Sequence, residues 1–329
     1  MSVLIVIPCL NEEAHLPGLL AQLLADNPEA RIIVADGGST DRSRAIITDL
    51  AERHPALRLM NNPARLQAAG VNLAARNFGQ GMDWLVRVDA HCDYPRDYVA
   101  GLIRAAREHD ATSVVVPMMT RGRAPFQSAV AAAQNSVLGN GGSPHRNMVV
   151  GRFVDHGHHA LFDMAMFRMV GGYDERFSHN EDAELDYRMS QMGGRIWLEP
   201  GQAIVYYPRR SPGSLLRQYM GYGKGRAQNL RRHRMRMALR QALPLAVAPA
   251  VLAGLAGLVA ALLAPLAGLM ALPMLCWALL CCAYGAVLAV RQRQASVLYA
   301  GLAAMIMHFG WSLGFLYEMR RGRAGRQTI

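Results

Sequence analysis

The sequence predicts an α/β fold, a Rossmann-like and mostly parallel sheet wrapped by helices, followed by apolar helices long enough to cross a membrane. Three observations carry this reading: short apolar runs alternate with helix-length amphipathic segments through residues 1–230, those runs end in polar clusters, and Leu243 to Val290 contains no charged residue. Repeated βα units build a parallel sheet covered by helices, with the ligand crevice at the carboxyl ends of the strands.

Val3-Leu4-Ile5-Val6-Ile7-Pro8 has no basic residue before it and no small-residue cleavage site, so it reads as a buried strand and not a signal peptide. Asn11 is placed to cap the next helix, whose Leu16, Leu19, Leu20, Leu23 and Leu24 keep to one face, while Glu12 and Glu13 suit its positive end. A second strand, Arg31 to Ala35, ends in Asp36-Gly37-Gly38-Ser39-Thr40-Asp41. The glycines allow a tight turn, Ser39 or Thr40 can cap the helix running to about Arg53, and Asp36 can accept from a base or ribose. No Gly-Lys-Ser/Thr follows and no GxGxxG occurs, which excludes a Walker loop and the dinucleotide fingerprint.

Further alternation gives a strand near Leu57 to Met60, a helix near Leu66 to Phe78, a strand Trp84 to Val88, a helix from about Arg96 to Glu108 and a strand Ser113 to Pro117. The stretch Thr120 to Val150, rich in Gly, Arg, Asn and Ser, reads as loop, whether an acceptor loop, plain surface or disordered chain.

Chemistry concentrates in Val86-Arg87-Val88-Asp89-Ala90-His91. Alternation along an extended chain puts Asp89 and His91 on one side, where both can grip one divalent cation, and a cation there neutralises a diphosphate. An Asp at a strand end also serves as a loop cap, so this triplet alone decides little.

Its company is more specific. Pro8-Cys9-Leu10-Asn11-Glu12-Glu13, Val34-Ala35-Asp36-Gly37-Gly38-Ser39-Thr40-Asp41, Asn62-Pro63-Ala64-Arg65 with Ala68 to Ala74, Asp89-Ala90-His91, Gly171-Gly172-Tyr173-Asp174-Glu175 and Glu181-Asp182 follow in that order. With these pieces the first 230 residues resemble the family 2 glycosyltransferases of the GT-A fold, and among them the exopolysaccharide-assembly enzymes of succinoglycan type, which share an Asp-Ala-His triplet and a membrane tail.

The resemblance implies that Pro8, Glu12, Asp36 and Asp89 line the nucleotide-sugar pocket, Asp36 on the uracil side and Asp89 at the ribose and metal. His91 stands where most relatives have a second Asp, so Asp89 and His91 would hold Mn²⁺ or Mg²⁺ with less negative charge, and affinity should fall as the imidazole protonates at about pH 6. Transfer of a sugar to a hydroxyl needs a base, and Asp182 is the residue assigned. Ser178 and Glu181 fit a capping box, which gives Glu181 a structural reading beside one near the acceptor. Leu185, Met189 and Met192 would form the buried stripe of the ensuing helix, with Glu184 and Asp186 on its solvated face. Asp155-His156-Gly157-His158-His159 lacks zinc-ligand spacing and a second cluster, and reads as a strand or loop lining the acceptor cleft.

The apolar tail has room for helices at Leu243 to Leu263 and Leu269 to Val290, with Pro265 and Gly268 between them, and a third run at Ala295 to Tyr317. This divides the chain into a catalytic domain (1–230), a basic juxtamembrane linker (231–242), two to three membrane helices (243–318) and a basic tail (319–329). Arg231, Arg232, Arg234, Arg236 and Arg240 before the first crossing place the catalytic half in the cytoplasm of a multi-pass inner-membrane protein. A third crossing would export Arg320, Arg321, Arg323 and Arg326, against the same tendency.

The net charge of +11 comes largely from arginines around this junction, which points to anionic membrane lipids and lipid diphosphates as partners and not to nucleic acid. Gln218-Tyr219-Met220-Gly221-Tyr222 is similar to the Gln-x-x-Arg-Trp signature of processive synthases but has Gly221 and Tyr222 in its last places, which argues for single-sugar addition with Gln218 and Tyr222 bordering the acceptor. The five cysteines form no CxxC pair and are expected to be reduced. The implied activity is inverting transfer of a hexose, glucose by expectation, from a UDP-sugar to a polyprenyl-diphosphate-linked saccharide. The alternatives are a polyprenyl-phosphate sugar synthase and, in another class, a catalytically silent membrane scaffold.

Overall fold

Strand β1 (Val3–Cys9) shows why the fold is layered: all of it except Pro8 is buried. Val3, Ile5, Ile7 and Cys9 enter one apolar cluster with Leu16, Leu20, Ile32 and Val86, whereas Leu4 and Val6 enter another with Ile33, Val71, Leu85 and Phe162. Helices therefore cover both faces of the sheet, as strands with no polar alternation require.

The computed structural model describes residues 2–141, 150–237 and 239–324. It divides into one unit of Met1–Met119 with His145–Tyr206 and another of Thr120–Pro144 with Tyr207–Ile329. In the first unit, β1 is followed by α1 (Leu16–Asp26), β2 (Arg31–Asp36), α2 (Ser43–Arg53), β3 (Leu57–Asn61), α3 (Gln67–Phe78), β4 (Trp84–Arg87), β5 (Cys92–Asp93), α4 (Tyr98–Glu108), β6 (Ser113–Val116) and β7 (Met118–Thr120). After the excursion into α5 (Pro125–Gln134) and α6 (Val137–Asn140) of the second unit come β8 (Arg152–Phe153), β9 (His158–Asp163), α7 (Met164–Met169), α8 (Glu181–Gln191), β10 (Ile196–Leu198) and β11 (Ile204–Tyr206).

The main sheet has the order β3-β2-β1-β4-β9-β6-β10-β8. Its first four strands are parallel, β9 runs antiparallel to both β4 and β6, and β8 runs antiparallel to β10. The strands expected from sequence are present to within a residue or two; the antiparallel β9, grown from the histidine-rich segment, was not anticipated as a central strand.

Several local expectations are corrected. Asn11 does not cap α1: it adopts the left-handed region (φ 58) and its Oδ1 accepts from Thr40 N at 2.8 Å. Asp41, not Ser39 or Thr40, serves the start of α2, with Oδ1 accepting from Ser43 N at 2.9 Å. The box between Ser178 and Glu181 is not formed, because α8 begins after Asn180 in the left-handed region with no side-chain cap. Glu184 and Asp186 are fully buried instead of solvated, while Met192 is exposed. Burial is tolerated because each carboxylate is bonded: Glu184 accepts from Arg188 Nη2 at 2.6 Å, and Asp186 Oδ2 is 2.8 Å from His156 Nδ1.

The second unit is helical: α5, α6, α9 (Pro212–His233), α10 (Leu239–Ala242), α11 (Val247–Ala260), α12 (Leu272–Gln292) and α13 (Ala300–Ala324). Much of the stretch read as loop is thus Ala-rich helix; residues 142–149 of it, and 325–329 of the expected basic tail, lie outside the described residues. Three runs, Leu243–Ala260, Pro265–Gln292 and Ala295–Arg321, are long and apolar enough to cross a membrane. Ser211 and Ser214 make a capping box at the start of α9.

Candidate active site

The site is built at the carboxyl ends of β1, β2 and β4, which are neighbours in the sheet. Pro8, half-buried, pairs in register with Ala35, and Cys9 with Asp36, so the two loops leave the sheet side by side. Asp36 accepts from Gly38 N at 3.1 Å, Ser39 N at 3.2 Å and Arg44 Nη1 at 2.5 Å. Against the cost of burial, the bonds from Ser39 and Arg44 hold its carboxyl below the usual range. Gly38, at φ +90, lets the turn close beneath the guanidinium of Arg65.

β4 stops at Arg87, so Asp89-Ala90-His91 occupies a turn beyond the strand and not its alternating edge. Two tyrosines hold that turn: Tyr94 OH accepts from Asp89 N at 2.7 Å and donates to Asp89 O at 3.1 Å, and the Tyr98 ring packs edge-on against Tyr94. His91 Nδ1 lies 3.0 Å from Glu12 Oε1, and His15 Nδ1 lies 2.8 Å from Glu12 Oε2. Burial opposes ionisation of Glu12, but the bond and charge of His91, then of His15, keep its carboxyl below the ordinary value.

Arg87 organises the rest. Its side chain is only 4% exposed, and it donates from Nε to Asp89 Oδ1 at 3.3 Å and from Nη1 to Asp182 Oδ1 at 2.6 Å and Tyr173 OH at 3.1 Å. Tyr173 OH in turn donates to Asp182 Oδ1 at 3.0 Å, and Glu181 Oε1 stands 3.8 Å from Arg87 Nη1. Burial works against Asp89 as an anion, but Arg87, then His158 and His91, hold its carboxyl low. Glu181 goes the other way, raised to about 7 by burial and then by the charge of Asp182. Asp89 Oδ1 also accepts from Gln67 Nε2 at 2.7 Å, and His158 Nε2 lies 3.6 Å from Asp89 Oδ2.

Asn72 fixes the glycine-rich segment that carries Tyr173: its Oδ1 accepts from Tyr173 N at 2.9 Å, and its Nδ2 donates to Tyr173 O at 2.8 Å and Glu175 Oε1 at 2.9 Å. At Gly172, φ +69, an added Cβ would meet Asn72 Oδ1 at 2.4 Å.

Of the residues expected at the site, Asp89, Glu181 and Asp182 gather around Arg87, Glu12 pairs with His91, whose charge reaches Asp89, and Pro8 and Asp36 stand at the ends of β1 and β2, all in the first unit. Gln218 and Tyr222 belong to the second unit, one helical turn apart on α9, with Gln218 Nε2 donating to Tyr222 OH at 3.0 Å. Sequence reasoning gave no individual role to Arg87, Gln67 or Tyr173, and read His158 only as part of a segment lining the acceptor cleft. The signal for Arg87 was present, since a lone arginine inside an apolar strand must find anions when it is buried.

Among the described residues no cluster of three or more His, Cys, Asp and Glu side chains is poised as a complete cage for a metal. A hard divalent cation that keeps waters and substrate phosphate oxygens needs only one or two protein ligands, and an Asp with an imidazole oriented through Nδ1 on a carboxylate supplies those. Asp89 and His91 are donors of the kind such a cation takes, with Asp89 Oδ1 also engaged by Arg87 and Gln67.

A sheet of this order, with the polar set at its carboxyl ends, defines a GT-A glycosyltransferase fold. Residues 4–170 match the family described as Glycosyl transferase family 2, and the chain belongs to that family and is a glycosyltransferase. It is 49% identical over 320 residues to the Succinoglycan biosynthesis protein ExoA of Rhizobium meliloti (strain 1021), covering 97% of this chain and 95% of that one. It is 23% identical over 238 residues to the dolichyl N-acetyl-alpha-D-glucosaminyl phosphate 3-beta-D-2,3-diacetamido-2,3-dideoxy-beta-D-glucuronosyltransferase of Methanococcus voltae, covering 69% and 74%. In fold it is similar to the mannosyltransferase PcManGT from Pyrobaculum calidifontis, solved with GDP-Man and Mn²⁺: the TM-score is 0.60 at 20% identity, over 96% of this chain and 87% of that one.

Proposed function

We propose that the protein adds one hexose, glucose from UDP-glucose, to a polyprenyl-diphosphate-linked saccharide during exopolysaccharide assembly, with inversion at the anomeric carbon. The observation that carries the mechanism is the single guanidinium shared by Asp89 and Asp182. It joins the residue assigned to the departing diphosphate with the residue assigned to the incoming hydroxyl. The near-full-length similarity to a succinoglycan biosynthesis protein supports the pathway, and the name of the Methanococcus voltae relative supports a lipid-linked acceptor.

In this reading Pro8, Glu12 and Asp36 border the nucleotide, and Asp182 takes the proton from the acceptor hydroxyl as that oxygen attacks the sugar. Arg87 and Tyr173 hold Asp182 at its Oδ1 and fix its direction. Asp89 and His91 would hold Mn²⁺ or Mg²⁺, which when bound supplies positive charge to the leaving diphosphate. Glu181, Gln218 and Tyr222 are assigned to the acceptor region. The apolar helices anchor a multi-pass inner-membrane protein whose catalytic unit faces the cytoplasm, in keeping with the arginines of residues 231–240.

The test is a screen of radiolabelled nucleotide sugars against membranes containing the full chain, with analysis of the labelled lipid. Label from UDP-glucose in a lipid-linked oligosaccharide is the expected result. Transfer to bare polyprenyl phosphate would replace this reading with a polyprenyl-phosphate sugar synthase. No transfer from any nucleotide sugar, with any acceptor, would leave only a scaffold role.

A further inference from the structure

The three apolar runs differ in what surrounds them. Over an apolar 18-residue stretch of each of the first two, 22% and 11% of the residues are buried in protein; over such a stretch of the third the share is 50%. Leu262, Leu263 and Leu266, between α11 and α12, are 84%, 94% and 80% exposed, as a surface bathed in lipid would be. On α13 the opposite holds: Ala300, Ala303, Ala304, Met307 and Ser312 are fully covered, and Phe315 and Glu318 nearly so.

Two helices outside the apolar runs, α5 and α9, cover much of α13, together with Leu288 and Ala289 of α12. Along its first half, Ala300, Ala303, Ala304 and Met307 pack with Val130, Ala132 and Ala133 of α5, a helix that the chain enters from β7. Along its second half lies α9. A Cβ added at Gly310 would meet Leu216 O at 3.0 Å, one at Gly314 would meet Met220 O at 2.1 Å, and one at Gly223 would meet Trp311 O at 2.1 Å, so the two backbones touch. Lys224 Nζ sits 4.9 Å from the Tyr317 ring centre, and Arg231 Nη2 donates to Glu318 Oε1 at 3.0 Å. Whatever depth residues 310–318 have in a bilayer, α9 shares it, together with Arg217, Lys224, Arg226, Arg231 and Arg232. Such a helix is excluded from a hydrocarbon core roughly 30 Å thick.

The contacts of α13 with the two preceding runs fall at the start of the first and along α12 between Trp277 and Gly285. Ser312 Oγ donates to Leu245 O at 2.9 Å and accepts from Ala248 N at 3.1 Å, at the start of the first run. Gly301 lies against Gly285 in the second half of α12, and Trp277 reaches His308 Nδ1 with its indole N–H at 3.3 Å, a side chain suited to the interface.

We infer that α13 does not cross the membrane: it lies along the membrane surface with α5 and α9, among anionic headgroups that pair with exposed arginines such as Arg217, Arg232, Arg320 and Arg321. The end of the chain then stays on the side of the sheet unit. This rests on the membrane anchoring proposed above.

The experiment uses the full chain, tagged at both termini, in sealed membrane vesicles of each orientation treated with trypsin. Both tags should be lost together in the same orientation and protected together in the other. Tags lost in opposite orientations would overturn the inference while leaving the anchoring intact; a chain that does not sediment with membranes would overturn both. A second measurement places spin labels at Leu302→Cys and Tyr317→Cys in an active chain cleared of its other cysteines. A surface helix gives equal depths, whereas a crossing helix separates them by ~22 Å and would overturn the inference.

Discussion

Asp89 and Asp182 are joined through one side chain: Arg87 reaches Asp89 Oδ1 at 3.3 Å with Nε and Asp182 Oδ1 at 2.6 Å with Nη1. The carboxylates come from the end of β4 and the start of α8, and a buried guanidinium is what makes their closeness tolerable.

Asp182→Asn keeps the size and most of the hydrogen bonding of the side chain but removes its capacity to take a proton. Transfer should fall by about 10²–10⁴-fold, with nucleotide-sugar affinity unchanged. Radiolabel incorporation beside calorimetric binding checks this, and normal transfer would rule out the assigned base.

Arg87→Met leaves Asp89, Asp182 and Glu181 without their shared cation in a buried pocket. The loss should be about 3–5 kcal/mol of stability, read from urea midpoints of the membrane-extracted protein. Arg87→Lys keeps the charge without the two-pronged geometry, and should recover part of the stability but little of the activity.

Glu181 gives a pH signature. Its carboxyl is raised from 4.5 to about 7 in the folded protein. Between those values the folded chain binds more protons than the unfolded one, so this residue's contribution to stability declines as pH rises through that window. Glu181→Gln should therefore match the native protein at pH 5 and exceed it at pH 8, by up to about 3 kcal/mol. Asp89 and Glu12, both lowered, act in the opposite sense: their stabilisation is present at neutral pH and is lost on acidification. An equal effect of Glu181→Gln at both pH values would refute the assignment.

Asn72→Ala strips the main-chain N–H and C=O of Tyr173 of their partner. Two buried groups left unpaired cost about 2–4 kcal/mol. Because Tyr173 OH steadies Asp182, turnover should drop as well, with little change in donor affinity; urea titration and kcat against KM test the two halves.

How far the sequence foretold this depends on the kind of signal. Strands such as Val3–Cys9 were legible because an unbroken apolar run has few other uses, and α1 because its leucines share a face. Glu184 and Asp186 were misread because pattern reading sorts charged residues outward, and their partners are Arg188, one turn on, and His156, from another segment. The i, i+4 pairing of Glu184 with Arg188 was visible in principle; the contact with His156 was not. Helix starts were misread at Asn11, Ser39 and Ser178 because caps depend on backbone angles set by neighbouring loops, as when Asn11 serves Thr40. The Ala-rich α5 was overlooked because glycines and arginines on its flanks dominated the composition.

Helix α5 has a practical consequence for protein production. Val130, Ala132 and Ala133 are covered by residues from the far end of the sequence, among them Ala300, Ala303 and Met307. Cutting the gene after His233 to obtain a detergent-free enzyme would strip that cover and bare a greasy helix in the middle of the expressed fragment, so a short clone should aggregate where the complete one, purified in detergent, does not.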